Sequence, residues 1–202
     1  MRTTMQQIKV ILASGSPRRK ELLEKMGLEF EIRKSDKEEI VTSENPEEVV
    51  KELALQKAED VAEQLQDDTE QDILLIGADT VVARQDRIMG KPENPEMAYE
   101  MIESLQGDTH MVYTGVALLI RQSGSWRTRN FAVGTKVEVA SMTKKEIEDY
   151  IATGEPMDKA GAYAIQGQFS VFVKGIEGDY NNVVGFPVAE VYRILQEEGL
   201  GV

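Results

Sequence analysis

Residues Ile73-Leu74-Leu75-Ile76-Gly77-Ala78-Asp79-Thr80-Val81-Val82 are the most apolar stretch of the chain, and a carboxylate interrupts them. Aliphatic side chains at consecutive positions, without polar alternation, predict a strand buried on both faces, as in the middle of an α/β sheet. Such a strand requires covering layers on both sides. A buried carboxylate without a partner is costly, so Asp79, expected at the C-terminal end of this strand, must be satisfied or used. Ligands gather at such strand ends in open α/β sheets.

A second strand opens the chain at Ile8-Lys9-Val10-Ile11-Leu12 and runs into Ala13-Ser14-Gly15-Ser16-Pro17-Arg18-Arg19-Lys20. The spacing of Leu22, Leu23 and Met26 predicts a helix stopped by Gly27, with Ser16 as its N-cap and Pro17 at the first helical position. The turn thus presents free amides and the positive end of a helix dipole. Arg18 and Arg19 fall in the first helical turn, where cations oppose the dipole, so an anion bound there would explain them. The stretch carries neither G-x-x-x-x-G-K-[ST] nor G-x-G-x-x-G. It is expected to be a phosphate-binding turn of another kind.

Along the rest of the chain, residues 28–32 predict a short strand that enters a charged loop reaching Val41. Asn45-Pro46-Glu47-Glu48 caps a helix whose apolar residues, Val49 to Leu65, keep helical spacing for about five turns. Lys57 lies in that helix and on periodicity alone reads as a surface lysine. Lys91 stands between the breakers Gly90 and Pro92, ahead of a capped helix over 94–105. Residues 110–120 and 126–139 predict two long strands joined through Ser123-Gly124-Ser125. Thr143 caps a helix ending at Gly154, residues 156–167 are turn-rich and contain Gln166, residues 169–173 alternate as a strand, and a last helix spans 188–198. His110, the only histidine, reads as incidental, and no nucleophile elbow accompanies it. Strands alternating with helices around a long hairpin indicate one α/β or α+β domain over residues 1–202, with a mixed sheet.

Composition narrows the function. Hydrophobic residues make up 41% and charged residues 29%, which suits a globular protein with a substantial core. No apolar run approaches about 18 residues, so no membrane span is expected. Residues 1–7 are polar and lack a signal-peptide core, which makes the cytoplasm the expected location. The absence of cysteine excludes disulfides, thiolate catalysis and cysteine zinc sites. A net charge of −13 argues against nucleic-acid duplexes as partners. Residues 35–72 hold 14 Asp/Glu against 3 Lys, most of them expected on a solvated helix face, and the arginine pair lies outside that segment. An acidic body with local basic spots suits a small phosphorylated ligand, with a metal.

Motifs in order along nearly the whole chain resemble those of the Maf family of nucleoside-triphosphate pyrophosphatases. They are Ser14-x-Ser16-Pro17-Arg18-Arg19, Gly77-Ala78-Asp79-Thr80, Gly90-Lys91-Pro92, Tyr113-Thr114-Gly115-Val116, Asp158-Lys159-Ala160-Gly161-Ala162-Tyr163, Ile165-Gln166-Gly167 and Asn182-Val183-Val184-Gly185. The resemblance implies an inosine-triphosphatase-like α/β fold, a mixed central sheet in two lobes about a deep cleft, and frequently a homodimer. It implies hydrolysis of a nucleoside triphosphate to monophosphate and pyrophosphate with a divalent metal, Mg²⁺ or Mn²⁺. Asp79-Thr80 and Ile165-Gln166-Gly167 are similar to the branch acting on dTTP, UTP and modified analogues.

By that similarity Asp79 is the proton acceptor, and Arg18, Thr80 and Gln166 sort the base. Ser14, Ser16, Arg19, Lys57 and Lys91 hold phosphates or brace the site. Metal would fall to Asp79 and a carboxylate after the second strand; Glu38 aligns best, with Asp36 and Glu39 open. The family is also linked to septum inhibition, and a nucleotide-binding regulator without turnover is the rival reading. Two departures stand out: Ala164 where relatives often have Gly, and Phe186 where Leu is usual. The chemistry agrees with the resemblance. Phosphoanhydride hydrolysis needs in-line attack, cations around the phosphate oxygens and a carboxylate-oriented water. An unassisted aspartate is a weak base, so a second carboxylate or an acidified metal-bound water is also required.

Overall fold

The computed structural model describes residues 8–65 and 71–200, so the polar N-terminal heptapeptide lies outside the described residues. Chain order is β1 (Lys9–Leu12), α1 (Pro17–Lys25), β2 (Glu31–Ile32), α2 (Pro46–Glu63), β3 (Ile73–Arg84), β4 (Arg87–Met89), α3 (Pro95–Leu105), β5 (Thr109–Gln122), β6 (Ser125–Val139) and α4 (Lys144–Ala152). Three short 3-10 turns (Glu155–Asp158, Ala160–Ala162, Gln168–Phe172) precede β7 (Val173–Glu177), α5 (Tyr180–Val184) and α6 (Val188–Glu197). The strands form one mixed sheet in the order β2-β1-β3-β5-β6-β7, with β4 also on β3. β1 is parallel to both neighbours; the other pairings are antiparallel.

β3 is covered on both faces, as its composition demands. Leu74, Ile76 and Ala78 pack into a large core with Leu22 and Leu23 of α1, Ile102 of α3 and Val191 and Leu195 of α6. Ile73 and Leu75 face the other way, against Ala54, Ala58 and Val61 of α2. The helix starts follow cap chemistry. Asn45 and Asn94 accept the first free amides of α2 and α3, and Thr143 with Glu146 forms a capping box on α4.

Two expectations change. Asp79 is in the middle of β3, because β3 continues to Arg84 to pair with β4 and β5. Residues 168–172 form a 3-10 turn, and β7 starts only at Val173. Phe169 there is buried against Tyr150, Tyr163 and Phe172, with ring centroids 4.7–5.7 Å away, and this cluster outweighs a strand. His110 is 3% exposed, and its Nε2 lies 2.7 Å from the Tyr163 hydroxyl, so it belongs to the core behind that tyrosine.

Candidate active site

β1 stops pairing with β3 at Ile76, and β4 begins only at Val82. Between them neither strand pairs with β3, and Asp79 and Thr80 sit on that stretch. Successive side chains of a strand point to opposite faces. Asp79, beside Gly115 of β5, therefore faces α2, while Thr80, beside Thr114, faces the larger core.

On the α2 side, close approach makes the site. A Cβ on Gly77 would overlap the Ala54 carbonyl oxygen, and one on Gly115 would overlap that of Val50. Both glycines let α2 lie against the sheet, which carries Lys57 onto Asp79. The Lys57 ammonium pairs with Asp79 Oδ1 and lies 3.0 Å from Glu39 Oε1, with its side chain 16% exposed. It is not the surface lysine that periodicity suggests. α2 also fixes the loop after β2: Asp60 accepts from the Asp36 amide at 3.0 Å, Gln56 binds Ile40 through both backbone groups, and Glu52 accepts from Thr42. Asp60, 5% exposed, departs from the solvated face expected of most carboxylates in the acidic segment.

On the opposite face Arg19 spends three nitrogens on the protein. Nε donates to Gly185 O at 2.9 Å, Nη1 to Ser14 Oγ at 3.0 Å and Nη2 to Thr80 Oγ1 at 3.0 Å. Burial pushes its guanidinium below the ordinary arginine value, while Asp79 opposes that shift and Arg18 adds to it. Thr114 donates its only hydroxyl proton to Asn182 O at 3.0 Å. The 2.9 Å contact between Thr80 and Thr114 is thus a donation from Thr80. With that proton committed, Thr80 can only accept from a ligand. Asn182, fully buried, ties this chain of bonds to Val112 O and Thr135 Oγ1, both at 3.0 Å.

A cleft of about 680 Å³ spans both faces of this open stretch. Ser14, Ser16, Arg18, Arg19, Lys57, Asp79, Thr80, Lys91 and Gln166 all line it. Ser16 holds the N-cap position of α1, but its side chain makes no cap bond. Lys91 is brought in by its loop, where the Gly161 amide donates to Gly90 O at 3.0 Å. Gln166 is exposed in the cleft, and its amide makes no hydrogen bond to the described residues. The loop is held instead by Glu155, which accepts from the Tyr150 hydroxyl at 2.8 Å and the Gln168 amide at 3.0 Å.

The three carboxylates left open for metal, Asp36, Glu38 and Glu39, are all exposed and none lines the cleft; of them only Glu39 reaches Lys57. Lys34, Asp158, Lys159 and Tyr163 also line it and were assigned no role from sequence. The Asp158-to-Tyr163 motif marks the last three; for Lys34 no local signal exists. Ala164 needs no positive φ, which falls instead on Gly161 and Ala162, at 67° and 59°. Phe186 is buried in the core, beside the cleft-lining Val184 and Gly185.

A family model described as Maf-like protein matches residues 9–198. The chain belongs to the Maf family. It is 50% identical over 202 residues to a dTTP/UTP pyrophosphatase of Agathobacter rectalis, covering 96% of this chain and 98% of the relative. It is 47% identical to proteins of the same name from Lachnoclostridium phytofermentans, over 95% of both chains, and from Bacillus cereus, over 96% and 97%. The mixed sheet and the cleft at its open stretch are thus this Maf chain's setting for the sequence motifs.

Proposed function

We propose that the chain hydrolyses dTTP, UTP and modified pyrimidine analogues to the monophosphate and pyrophosphate, by water attack on the α-phosphorus. The observation that carries this reading is the Asp79–Lys57 pair in a cleft where Lys34 and Lys91 have no carboxylate partner among the described residues, and where Arg18 forms no ion pair and acts through space on an Asp158 already paired with Lys159. In a chain of net charge −13, cations left unpaired in one cleft call for an anionic ligand. Asp79 orients the water and takes its proton as the new P–O bond forms. Arg18, expected from the resemblance to sort the base, is read here as offering a fork to the phosphate oxygens, and Lys91 a point charge. The leaving pyrophosphate departs along the same row of cations.

The donor set fits a hard divalent ion, since Asp79 and Glu39 already converge on one positive charge. Mg²⁺ or Mn²⁺ is held by one or two carboxylates with phosphates and waters, and Asp79 and Glu39 would hold it here, ahead of Glu38. Bound there, the ion neutralises phosphate charge and acidifies water.

Base selection falls to Gln166, whose free amide offers donor and acceptor together to a uracil or thymine edge, and to Thr80 as an acceptor. Any part in arresting cell division would use the same nucleotide site, and overproducing Asp79→Asn separates it from turnover. Incubation with UTP and Mg²⁺, with products resolved by ion-exchange chromatography, tests the main reading. UMP and pyrophosphate are expected; UDP with orthophosphate, or no turnover, contradicts it.

A further inference from the structure

Lys34 follows β2 in a loop that α2 fixes from Asp36 onward, and its side chain lines the cleft. It lies across Gly15, at the middle of the Ser14-Gly15-Ser16 turn. A Cβ built on Gly15 would overlap Lys34 Cε and lie 3.1 Å from both Cδ and Nζ. Gly15 does not have a positive φ, so the glycine leaves room for the lysine and serves no conformational need. Apart from Arg18 and Lys91, the other cations of the cleft are engaged. Lys57 pairs with Asp79 and Glu39, Lys159 with Asp158, and Arg19 is spread over Ser14, Thr80 and Gly185. Lys34 has no such partner among the described residues.

We propose that Lys34 is a further substrate-binding residue, whose ammonium crosses Gly15 to hold the phosphate chain of the nucleotide and then the pyrophosphate product. The proposal rests on the reading of the cleft as a triphosphate site. A triphosphate brings more negative charge than Arg18 and Lys91 alone balance, and Lys34 is the remaining uncommitted cation of the cleft. Its contribution is binding of ground state and transition state alike, so it acts on KM more than on kcat.

The test titrates inorganic pyrophosphate into the whole protein by calorimetry, alongside UTP kinetics. Lys34→Ala should weaken pyrophosphate binding and raise KM by about tenfold, the effect of one exposed charge-assisted contact, with Tm unchanged. Lys34→Arg should recover most of that affinity. Gly15→Ala should push the flexible lysine aside and weaken pyrophosphate binding by less than Lys34→Ala does, yet add nothing in a Lys34→Ala background. Pyrophosphate affinity and KM within twofold of wild type in Lys34→Ala, or equal further losses from Gly15→Ala in both backgrounds, would overturn the proposal. Because the titration needs no turnover, a wild type that binds pyrophosphate through Lys34 but leaves UTP intact would sink the proposed function and leave this contact standing.

Discussion

Asp79 and Thr80 are adjacent in sequence yet serve opposite faces of the sheet, and that division predicts how their variants differ. Asp79→Asn keeps the shape of the side chain and removes the proton acceptor. Its kcat should fall by about 10²–10⁴ while nucleotide affinity changes little. A folded variant within a few-fold of wild type would make Asp79 a structural partner of Lys57 only. Gln166→Glu removes the amide donor and adds charge in a position where the amide has no protein partner. It should lower kcat/KM for UTP far more than for GTP, by about 10–10², the cost of one mismatched hydrogen bond. An unchanged UTP to GTP ratio would show that Gln166 does not read the base. Lys91→Ala should lower kcat/KM without changing the pH profile of turnover.

At the level of elements, the site depends on how closely α2 approaches β3 and β5. Gly77→Ala places a methyl group where the Ala54 carbonyl stands, so the helix must move out. We expect a loss of about 1–3 kcal/mol in urea unfolding, with reduced turnover because Lys57 leaves Asp79. A fully active, equally stable Gly77→Ala protein would mean that the helix position is not critical. The strands and capped helices were legible in sequence because period and cap chemistry are local: 94–105 and the Thr143 start agree with the observed elements. The Lys57 pairing was not, since periodicity cannot see that two glycines on different strands admit the helix. The five residues 169–173 also misled, because their alternation fits a strand as well as a turn closing over an aromatic cluster. Lys34 stayed invisible for a similar reason: its neighbour Gly15 is brought to it by the pairing of β1 with β2.

For the molecule as a whole, the buried His110 couples stability to pH. Burial lowers it to about 4, Asp108 opposing and Arg84 adding to that shift, while the Tyr163 hydroxyl faces its Nε2. The unfolded chain, with an ordinary histidine near 6.5, binds the proton first. Stability is therefore fully present above about pH 6.5 and is lost as pH falls toward 4. Between pH 7 and pH 5 the loss from this group should be about 2 kcal/mol. Urea unfolding of wild type and His110→Gln at both pH values checks it; an equal pH dependence in the two proteins would contradict the assignment.

The central claim is that water attacks the α-phosphorus in this cleft, and oxygen labelling tests it most directly. UTP is turned over with Mg²⁺ in ¹⁸O-enriched water, and the products are weighed by mass spectrometry. One heavy oxygen in UMP and none in pyrophosphate is the predicted result. Label in pyrophosphate, with UMP unlabelled, would place the attack on the β-phosphorus and contradict the account.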